Sequence, residues 1–346
     1  MKIRTSVLSR YIDIPKSTRD LRDLLDDVGL EVKRTEQLPG DLSITLELLA
    51  NRGDHHSYSG ISREIGGRTA GSLRRPEVTT LQVGRCPIVV EVRSPLCLRY
   101  SATLLERTGP VAQLPDDVLR PIVAAGQKCV RAEVDATNLA NLELGQPTHV
   151  FDADTIVGAV VVREAVAGET CLPLFFEARV DVPVGALVVA DDVKILAVAG
   201  VIGCEECKAT QTTTRLLVES ATFEPVAVRK AARAMGIATD SSARFERGAD
   251  PEAPLVGAGR VVFLLELYAG WSRVGQTAML GKWAAPKRII TLSVPLAGAF
   301  LEVPLAEAEI RERLERYGFS VSPSWPEWDA GMGWTVPDEL VDAPHS

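Results

Sequence analysis

The middle of the chain contains two short apolar runs, residues 186–190 and 194–199, which flank a pair of aspartates at 191–192. Two such runs separated by a short polar turn predict an antiparallel hairpin. Further β-branched runs occur at 88–92 and 159–162. Helical patterns interrupt these strands in no regular βαβ order. We therefore predict an α+β fold rather than a doubly wound parallel sheet.

The N-terminal segment has the pattern of a small α+β unit. A strand is predicted at 2–7, and Ser17 begins a capping-box pattern that predicts an amphipathic helix. A second strand is predicted at 44–48. A brief helix is expected at 59–65, where the glycines at 66–67 would end it.

The remaining elements are expected on either side of the hairpin. A polar stretch at 71–80 is typical of a linker. Helices are predicted at 116–125 and 223–235. A strand at 288–294 and a helix at 305–317 suggest that the chain closes with a small winged-helix-like unit.

Length and charge limit the classes of function. The 346 residues suggest two or three domains, and no apolar run reaches the roughly 18 residues that a membrane span requires. The first residues lack the apolar core of a signal peptide, which favours a cytoplasmic protein. The net charge of −8 argues against a large nucleic-acid footprint, because neutralising phosphates requires clustered lysine and arginine.

His149 is the strongest candidate for acid–base chemistry. The chain has only 4 histidines, and histidine is the side chain that ordinarily changes charge near neutral pH. His149 lies within the polar segment 143–152, close in sequence to Asp135 and Asn138. This concentration of hydrogen-bonding groups suggests a site. A turn with a structurally satisfied histidine explains the residues at least as well.

Two other patterns resemble metal sites but lack the necessary partners. Cys204 and Cys207 form a single CxxC without a second pair or nearby histidines, so we interpret them as incidental thiols. His55 and His56 follow Asp54, but no further ligand occurs at a regular spacing, so a solvated turn is expected. The 6 cysteines are expected to be reduced. Because no phosphate-binding loop or dinucleotide fingerprint appears, we expect no metal and no cofactor.

Longer motifs, taken in order, resemble those of the β subunit of bacterial phenylalanyl-tRNA synthetase. The matching segments are residues 1–32, 51–65, 134–138, 142–152, 187–191, 199–203 and 239–251. Motifs of this length in this order are specific, so the chain is identified as a member of that family. Beyond residue 251 the resemblance is weak.

The resemblance implies an editing domain, which in the family hydrolyses tyrosine wrongly esterified to the tRNA. The implied catalytic residues are His149, Glu219 and Asn138, and the implied substrate-binding residues are Thr137, Val150, Gly200, Cys204, Thr239 and Ser241. Ester hydrolysis needs an oriented water, a group that handles its proton and donors for the developing oxyanion. The family's counterpart of Glu219 reads the para-hydroxyl group of the amino acid, which implies selection for a phenol.

The chain also departs from the family. Val150 and Ser241 stand where the family usually has alanine, and Cys204 replaces a glycine. The tRNA-binding insertion expected at about 36–42 is missing, as are the domains that pair with the α subunit and bind the anticodon. A complete tRNA ligase is therefore not expected. The implied units are an N-terminal α+β unit at 1–75, an editing-type domain at 76–287 and a partial winged-helix-like unit at 288–346.

Three functions stay open at this point. The first is a stand-alone trans-editing enzyme that binds an aromatic amino acid or its aminoacyl ester and hydrolyses the tRNA ester, with only weak contact to the tRNA. The second is a repurposed biosynthetic enzyme that condenses or cyclises a free aromatic amino acid or amine. The third is a non-catalytic regulatory paralogue. None of the three involves a membrane.

Overall fold

The structure is a computed structural model that describes residues 1–110, 112–286 and 289–322. Its helices are α1 (Thr5–Leu8), α2 (Thr18–Asp27), α3 (Tyr58–Thr69), α4 (Asp116–Ala124), α5 (Ala132–Leu144), α6 (Pro225–Met235), α7 (Asp240–Phe245), α8 (Pro254–Tyr268), α9 (Val294–Leu301) and α10 (Glu307–Arg316). Three short 3-10 helices lie at Gly53–His56, Ala153–Thr155 and Glu205–Cys207. No helix within the described ranges is long and apolar enough to cross a membrane.

Within the described residues, four sheets are built from the following strands. They are β1 (Lys2–Arg4), β2 (Glu31–Leu38), β3 (Asp41–Glu47), β4 (Val90–Val92), β5 (Cys97–Arg107), β6 (Thr148–Asp152), β7 (Val160–Glu164), β8 (Thr170–Cys171), β9 (Val180–Asp181), β10 (Leu187–Ala190), β11 (Ile195–Val198), β12 (Ile202–Gly203), β13 (Arg215–Phe223) and β14 (Trp271–Leu280). The sheet orders are β1-β3-β2, β12-β11-β10-β7-β4, β14-β5-β13-β6 and β8-β9. Only β4 and β7 pair in parallel among the named strands. The predicted α+β class is therefore confirmed.

The N-terminal sheet begins with a shorter strand than the sequence predicts. The strand expected at 2–7 ends at Arg4, and α1 follows at once. The carboxylate of Asp41 explains the turn, because it accepts hydrogen bonds from the Thr5 hydroxyl at 2.8 Å and from the Ser6 amide at 3.0 Å. Helix α2 starts after Ser17 as predicted, since the Ser17 hydroxyl caps its first turn. The strand predicted at 44–48 is confirmed over 44–47 as part of β3, which ends at Glu47.

The two glycines expected to end α3 lie inside it. The helix continues through Gly66 and Gly67 to Thr69. A methyl group at Gly67 would lie 2.5 Å from the Tyr317 ring, which packs against the helix at that point. Glycine here permits close approach between α3 and the end of α10, which outweighs its poor helix propensity. The prediction of a helix stop was wrong for this reason.

The central region is a pair of sheets with helices packed against both of its apolar cores. The predicted hairpin is confirmed, since β10 and β11 pair antiparallel with Val188 opposite Val198. One apolar core fills the space between the five-stranded and four-stranded sheets and includes Leu217 and Phe223 of β13. The other face of the four-stranded sheet carries Leu216 and packs against α4, α5 and α8.

Helix predictions in the central region were partly correct. Helix α4 forms as predicted and includes Pro121. Helix α6 begins at Pro225 because Phe223 completes β13. Helices α5 and α8 were not predicted. Both are largely buried, so they lack the polar face that reveals an amphipathic helix in a sequence.

The C-terminal part is described only to residue 322. The strand predicted at 288–294 was wrong over its described part, because residues 289–293 form no strand and α9 begins at Val294. The Ser293 hydroxyl caps α9, accepting from the Leu296 amide at 3.4 Å. The helix predicted at 305–317 is confirmed as α10. Arg288 and the rest of the predicted winged-helix-like unit beyond residue 322 lie outside the described residues.

Candidate active site

Strand pairing brings two of the predicted catalytic residues together. Glu219 on β13 lies directly opposite His149 on β6 in an antiparallel register. Side chains that oppose each other in this way point to the same face of the sheet. That face also carries Leu217 and Phe223, which pack against the five-stranded sheet. The two polar side chains therefore lie in the apolar layer between the sheets.

Glu219 is a buried carboxyl group with one protein partner. Its side chain is 7% exposed, and the Tyr100 hydroxyl donates a hydrogen bond to Glu219 Oε2 at 2.9 Å. Burial raises the pKa of Glu219 to about 7, while the Tyr100 hydrogen bond opposes this shift. Its second oxygen, Oε1, accepts no hydrogen bond from the described residues. Glu219 thus offers an acceptor whose charge changes near neutral pH.

His149 is a desolvated imidazole with an unsatisfied nitrogen. Burial lowers the pKa of His149 to about 4, so the ring is neutral at physiological pH. Its Nε2 atom is buried and has no hydrogen-bond partner among the described residues. The ring meets Phe151 edge-on at 4.7 Å between centroids, and a methyl group at Gly203 would lie 2.6 Å from Nε2. These contacts do not satisfy Nε2, which argues against a purely structural histidine.

The predicted residues Thr137 and Asn138 lie on α5, beside the start of β6. The Thr148 hydroxyl donates to the carbonyl oxygen of Thr137 at 3.5 Å, which links α5 to the residue before His149. The Thr137 hydroxyl donates to Val134 in its own helix at 2.7 Å. Asn138 is half-buried and has no hydrogen bond to His149 or Glu219. The structure thus brings this pair to the edge of the site without a direct contact.

Gly200 and Thr239 lie where α7 packs against the core between the sheets. Thr239 caps α7 by accepting from the Ser242 amide at 3.0 Å, and its hydroxyl donates to the Val201 carbonyl oxygen at 2.7 Å. Gly200 has a φ of 71°, and a methyl group there would lie 3.0 Å from the Phe245 ring. Glycine is needed because the turn is left-handed and pressed against α7. Ser241 is half-buried in the first turn of that helix.

Val150 and Cys204 are not brought to the paired carboxyl and imidazole groups. Val150 packs in the core on the other face of the four-stranded sheet, because consecutive strand residues point to opposite faces. Cys204 is buried and free, as is Cys207, whose thiol donates to the Leu196 carbonyl oxygen at 3.1 Å. Burial raises the pKa of Cys207 to about 12. Such thiols are unreactive at neutral pH.

The histidine pair at 55–56 is not in a solvated turn, contrary to the prediction. His55 is 1% exposed, and its Nε2 lies 3.4 Å from Glu64 Oε1 and 3.8 Å from Asp54 Oδ2. These three side chains have the atoms to ligate a metal ion. However, Arg52 donates to both carboxylates and Arg63 donates to Asp54. Two guanidinium groups already neutralise the two acids, so we assign no metal to them.

Two residues at the site were missed in the sequence. Tyr100 has no motif around it, and only the pairing of β5 with β13 brings it to Glu219. Gly203 falls within a segment that matches the family, but the sequence assigns it no role. The structure shows that its backbone forms the surface on which the His149 ring lies.

Replacing Tyr100 with phenylalanine should raise the pKa of Glu219 above about 7, because the variant removes a hydrogen bond that favours the carboxylate. The folded pKa already exceeds the ordinary value of 4.5, so folding stability falls as pH rises between these two values. That loss amounts to about 3 kcal/mol above pH 7. In the Tyr100→Phe variant, folding stability should continue to fall with rising pH up to the new, higher pKa of Glu219.

Carbon-13 NMR titration of the Glu219 carboxyl measures this shift directly. Tyr11→Phe is the matched control, since the Tyr11 hydroxyl donates to Glu143 and not to Glu219. A Glu219 pKa that is unchanged or lowered in Tyr100→Phe would contradict the assignment of the hydrogen bond.

Comparisons with known proteins agree on one family. The family model described as the B3/4 domain matches residues 96–270. The phenylalanine–tRNA ligase beta subunit of Nitrosococcus oceani is 34% identical over 292 residues, which cover 84% of this chain and 37% of that subunit. The corresponding subunit of Synechococcus elongatus is 33% identical over 309 residues, or 86% of this chain and 38% of that subunit. The chain thus spans well under half the length of these relatives.

Among solved structures, an N-terminal fragment of the phenylalanyl-tRNA synthetase beta subunit from Pyrococcus horikoshii aligns with most of the chain. The alignment covers 94% of this chain and 90% of the fragment. Sequence identity is 14% and the TM-score is 0.49. A similarity at that level carries no argument about the site.

Proposed function

Since the chain belongs to the family of phenylalanine–tRNA ligase beta subunits that carry a B3/4 domain, we propose that it is a stand-alone editing enzyme. Its reaction is hydrolysis of the ester that joins an aromatic amino acid to tRNA. The observation that carries the proposal is the cross-strand pair of Glu219 and His149, each with a polar atom that accepts no hydrogen bond from the described residues. Charged tRNA is a cytoplasmic substrate, so the proposal includes a cytoplasmic location.

Glu219 is proposed to select the amino acid. With Oε2 held by Tyr100, Oε1 is the atom available to accept a hydrogen bond from a phenol. A site built around such an acceptor discriminates against a ring without the hydroxyl group, because a ring that excludes water would leave the acceptor without a hydrogen bond. Tyrosine would therefore bind in preference to phenylalanine.

His149 is proposed to orient the attacking water. A neutral imidazole nitrogen accepts a hydrogen bond from water, and Nε2 is free to do so. The water oxygen bonds to the ester carbonyl carbon and gives up a proton, and the tRNA 3′-oxygen leaves and takes up a proton. Thr137, Asn138 and the turn at Gly200 are proposed to bound the pocket and to supply donors to the carbonyl oxygen.

The direct test uses tyrosine esterified to the tRNA that normally accepts phenylalanine. The purified chain should shorten the lifetime of this ester relative to buffer, and should act less on the phenylalanyl ester. A lifetime equal to that in buffer would reject the proposal. If free tyrosine or tyramine nevertheless binds by calorimetry, the biosynthetic alternative is favoured. The charge of −8 predicts weak tRNA contact, so the assay should be run at low salt.

Glu219→Gln tests the selection step. It removes the charged acceptor, so tyrosyl ester hydrolysis should fall by roughly 10- to 100-fold, corresponding to about 1.5–3 kcal/mol for a hydrogen bond to a charged group. Hydrolysis of the phenylalanyl ester should change by less than about threefold, because that substrate makes no such bond. Single-turnover rates on both esters measure the ratio. An equal loss on both esters would show that Glu219 does not read the phenol.

A further inference from the structure

Three basic side chains lie at or near the C-terminal end of α7. The 3-10 helix Gly53–His56 packs there, since a methyl group at Gly53 would lie 2.8 Å from the Gly248 carbonyl oxygen and 3.0 Å from that of Arg247. We call His56, Arg244 and Arg247 the basic cluster. It joins the N-terminal segment to a helix of the central region, and the editing proposal gives it no role.

Two polar atoms of the basic cluster are buried and unpartnered. Nη1 of Arg244 and Nε2 of His56 have no hydrogen-bond partner among the described residues. Leaving a buried charged donor unsatisfied costs more than the roughly 1–3 kcal/mol of a neutral one. Native proteins seldom retain such a group without a water, an ion or a functional reason. An acceptor from outside the chain would satisfy Arg244.

The basic cluster holds two charged guanidinium groups, and that of Arg247 already donates to Glu246 Oε1 at 3.2 Å. Burial and then the guanidinium groups of Arg244 and Arg247 lower the pKa of His56 to about 4, and the amino terminus and His55 act in the same direction. Burial lowers the pKa of Arg244 to about 10 against the opposing charge of Asp240. The Asp240 carboxylate already accepts from the Gln127 amide at 2.8 Å. A bound anion would raise the pKa of both His56 and Arg244 toward their ordinary values.

We propose that the basic cluster of His56, Arg244 and Arg247 is a binding site for a phosphate group. The planar guanidinium fork of arginine matches the geometry of phosphate oxygens, and Arg244 Nη1 and His56 Nε2 are the two atoms of the cluster that lack a partner among the described residues.

The phosphate has two candidate sources with the same chemistry. Ser241 and Arg244 are three residues apart on α7, so they share one face of the helix that Thr239 caps. A polynucleotide whose 3′ end entered the proposed ester site would carry its backbone past that face, a reading that rests on the proposed function. A free phosphorylated small molecule would use the basic cluster independently of that function.

Thermal unfolding and calorimetry with inorganic phosphate test the site, with sodium chloride at matched ionic strength as the reference. Phosphate should raise the melting temperature of the wild type. Arg244→Met should unfold at the same or a higher temperature without phosphate, because the variant removes an unsatisfied buried charge. It should also bind phosphate at least 10-fold more weakly. His56→Gln should weaken binding less, and Arg233→Met, which alters an exposed arginine of α6, should leave binding unchanged.

The outcomes separate this inference from the proposed function. Absence of phosphate binding to the wild type would overturn it, as would an Arg244→Met variant that loses stability yet keeps the phosphate response. A single-stranded RNA ending in CCA and adenosine monophosphate distinguish the sources. Binding of the RNA that Arg244→Met weakens 10-fold supports the polynucleotide, and binding of the nucleotide alone supports the small molecule. Phosphate binding without ester hydrolysis would reject the editing proposal alone.

Discussion

Alanine in place of His149 should slow hydrolysis of both the tyrosyl and the phenylalanyl ester by about 10²–10⁴-fold, the usual range for a side chain that handles the attacking water or its proton. The expected loss is equal for the two substrates, because the water attacks the ester bond and not the aromatic ring. The Nε2 atom is buried without a partner, so its removal leaves no hydrogen-bonding group of the protein stranded. Single-turnover rates with saturating enzyme measure the chemical step.

The pattern across two variants makes this result specific. Glu219→Gln should lower hydrolysis of one ester, whereas His149→Ala should lower hydrolysis of both. Val150→Ala changes the next residue of β6, which points to the opposite face, and should leave both rates within about threefold of wild type. Wild-type rates in His149→Ala, with a normal unfolding transition, would remove His149 from the chemistry and favour a non-catalytic role for the chain.

Replacing Arg260 with methionine should destabilise the protein by about 3–5 kcal/mol, the cost of leaving a buried charge without its partner. Arg260 on α8 donates to Glu143 on α5, with distances of 2.6 Å from Nε to Oε2 and 3.1 Å from Nη2 to Oε1. The Tyr11 hydroxyl donates to Glu143 Oε1 at 2.8 Å. Arg260 and Glu143 are 8% and 4% exposed, so water cannot replace the lost bonds.

A second substitution separates the charge effect from the loss of packing. The double variant Arg260→Met with Glu143→Leu should recover part of the loss, because it replaces both charges with apolar groups but leaves the buried Tyr11 hydroxyl without its acceptor. Arg316→Met is the control, since Arg316 pairs with Glu312 on the surface and its loss should cost less than about 1 kcal/mol. Urea unfolding measures each free energy. A loss below about 1 kcal/mol in Arg260→Met would contradict the view that this pair is desolvated.

The parts of the fold that the sequence predicts correctly depend on neighbours along the chain. The cap of α2 at Ser17 and the hairpin of β10 and β11 are signals that act within a few residues. The prediction fails where a group distant in sequence sets the end of a strand or allows a helix to continue. Asp41 ends β1 early, and Tyr317 requires glycine inside α3 rather than after it.

The candidate site likewise has features that the sequence predicts and features that only the structure reveals. His149 and the turn at Gly200 could be identified by resemblance, because the motifs around them survive in the sequence, and Glu219 was matched to the family as a single residue. Neither the free Oε1 of Glu219 nor the unsatisfied Nε2 of His149 could be foreseen, since each follows from strand register and burial. Val150 was placed beside His149 by resemblance, yet its position on the strand turns it to the other core.

The sequence by itself therefore determined the family, the α+β class and the residue types of the candidate site. Only the tertiary structure decided their chemical state. Burial between two sheets lowers the pKa of His149 to about 4 and raises that of Glu219 to about 7, which reverses the usual order of a histidine and a glutamate. The same holds for Arg244 and His56, whose unpartnered atoms depend on the contact between α7 and the N-terminal segment. Desolvation depends on every group packed around a side chain, and those groups come from distant parts of the chain.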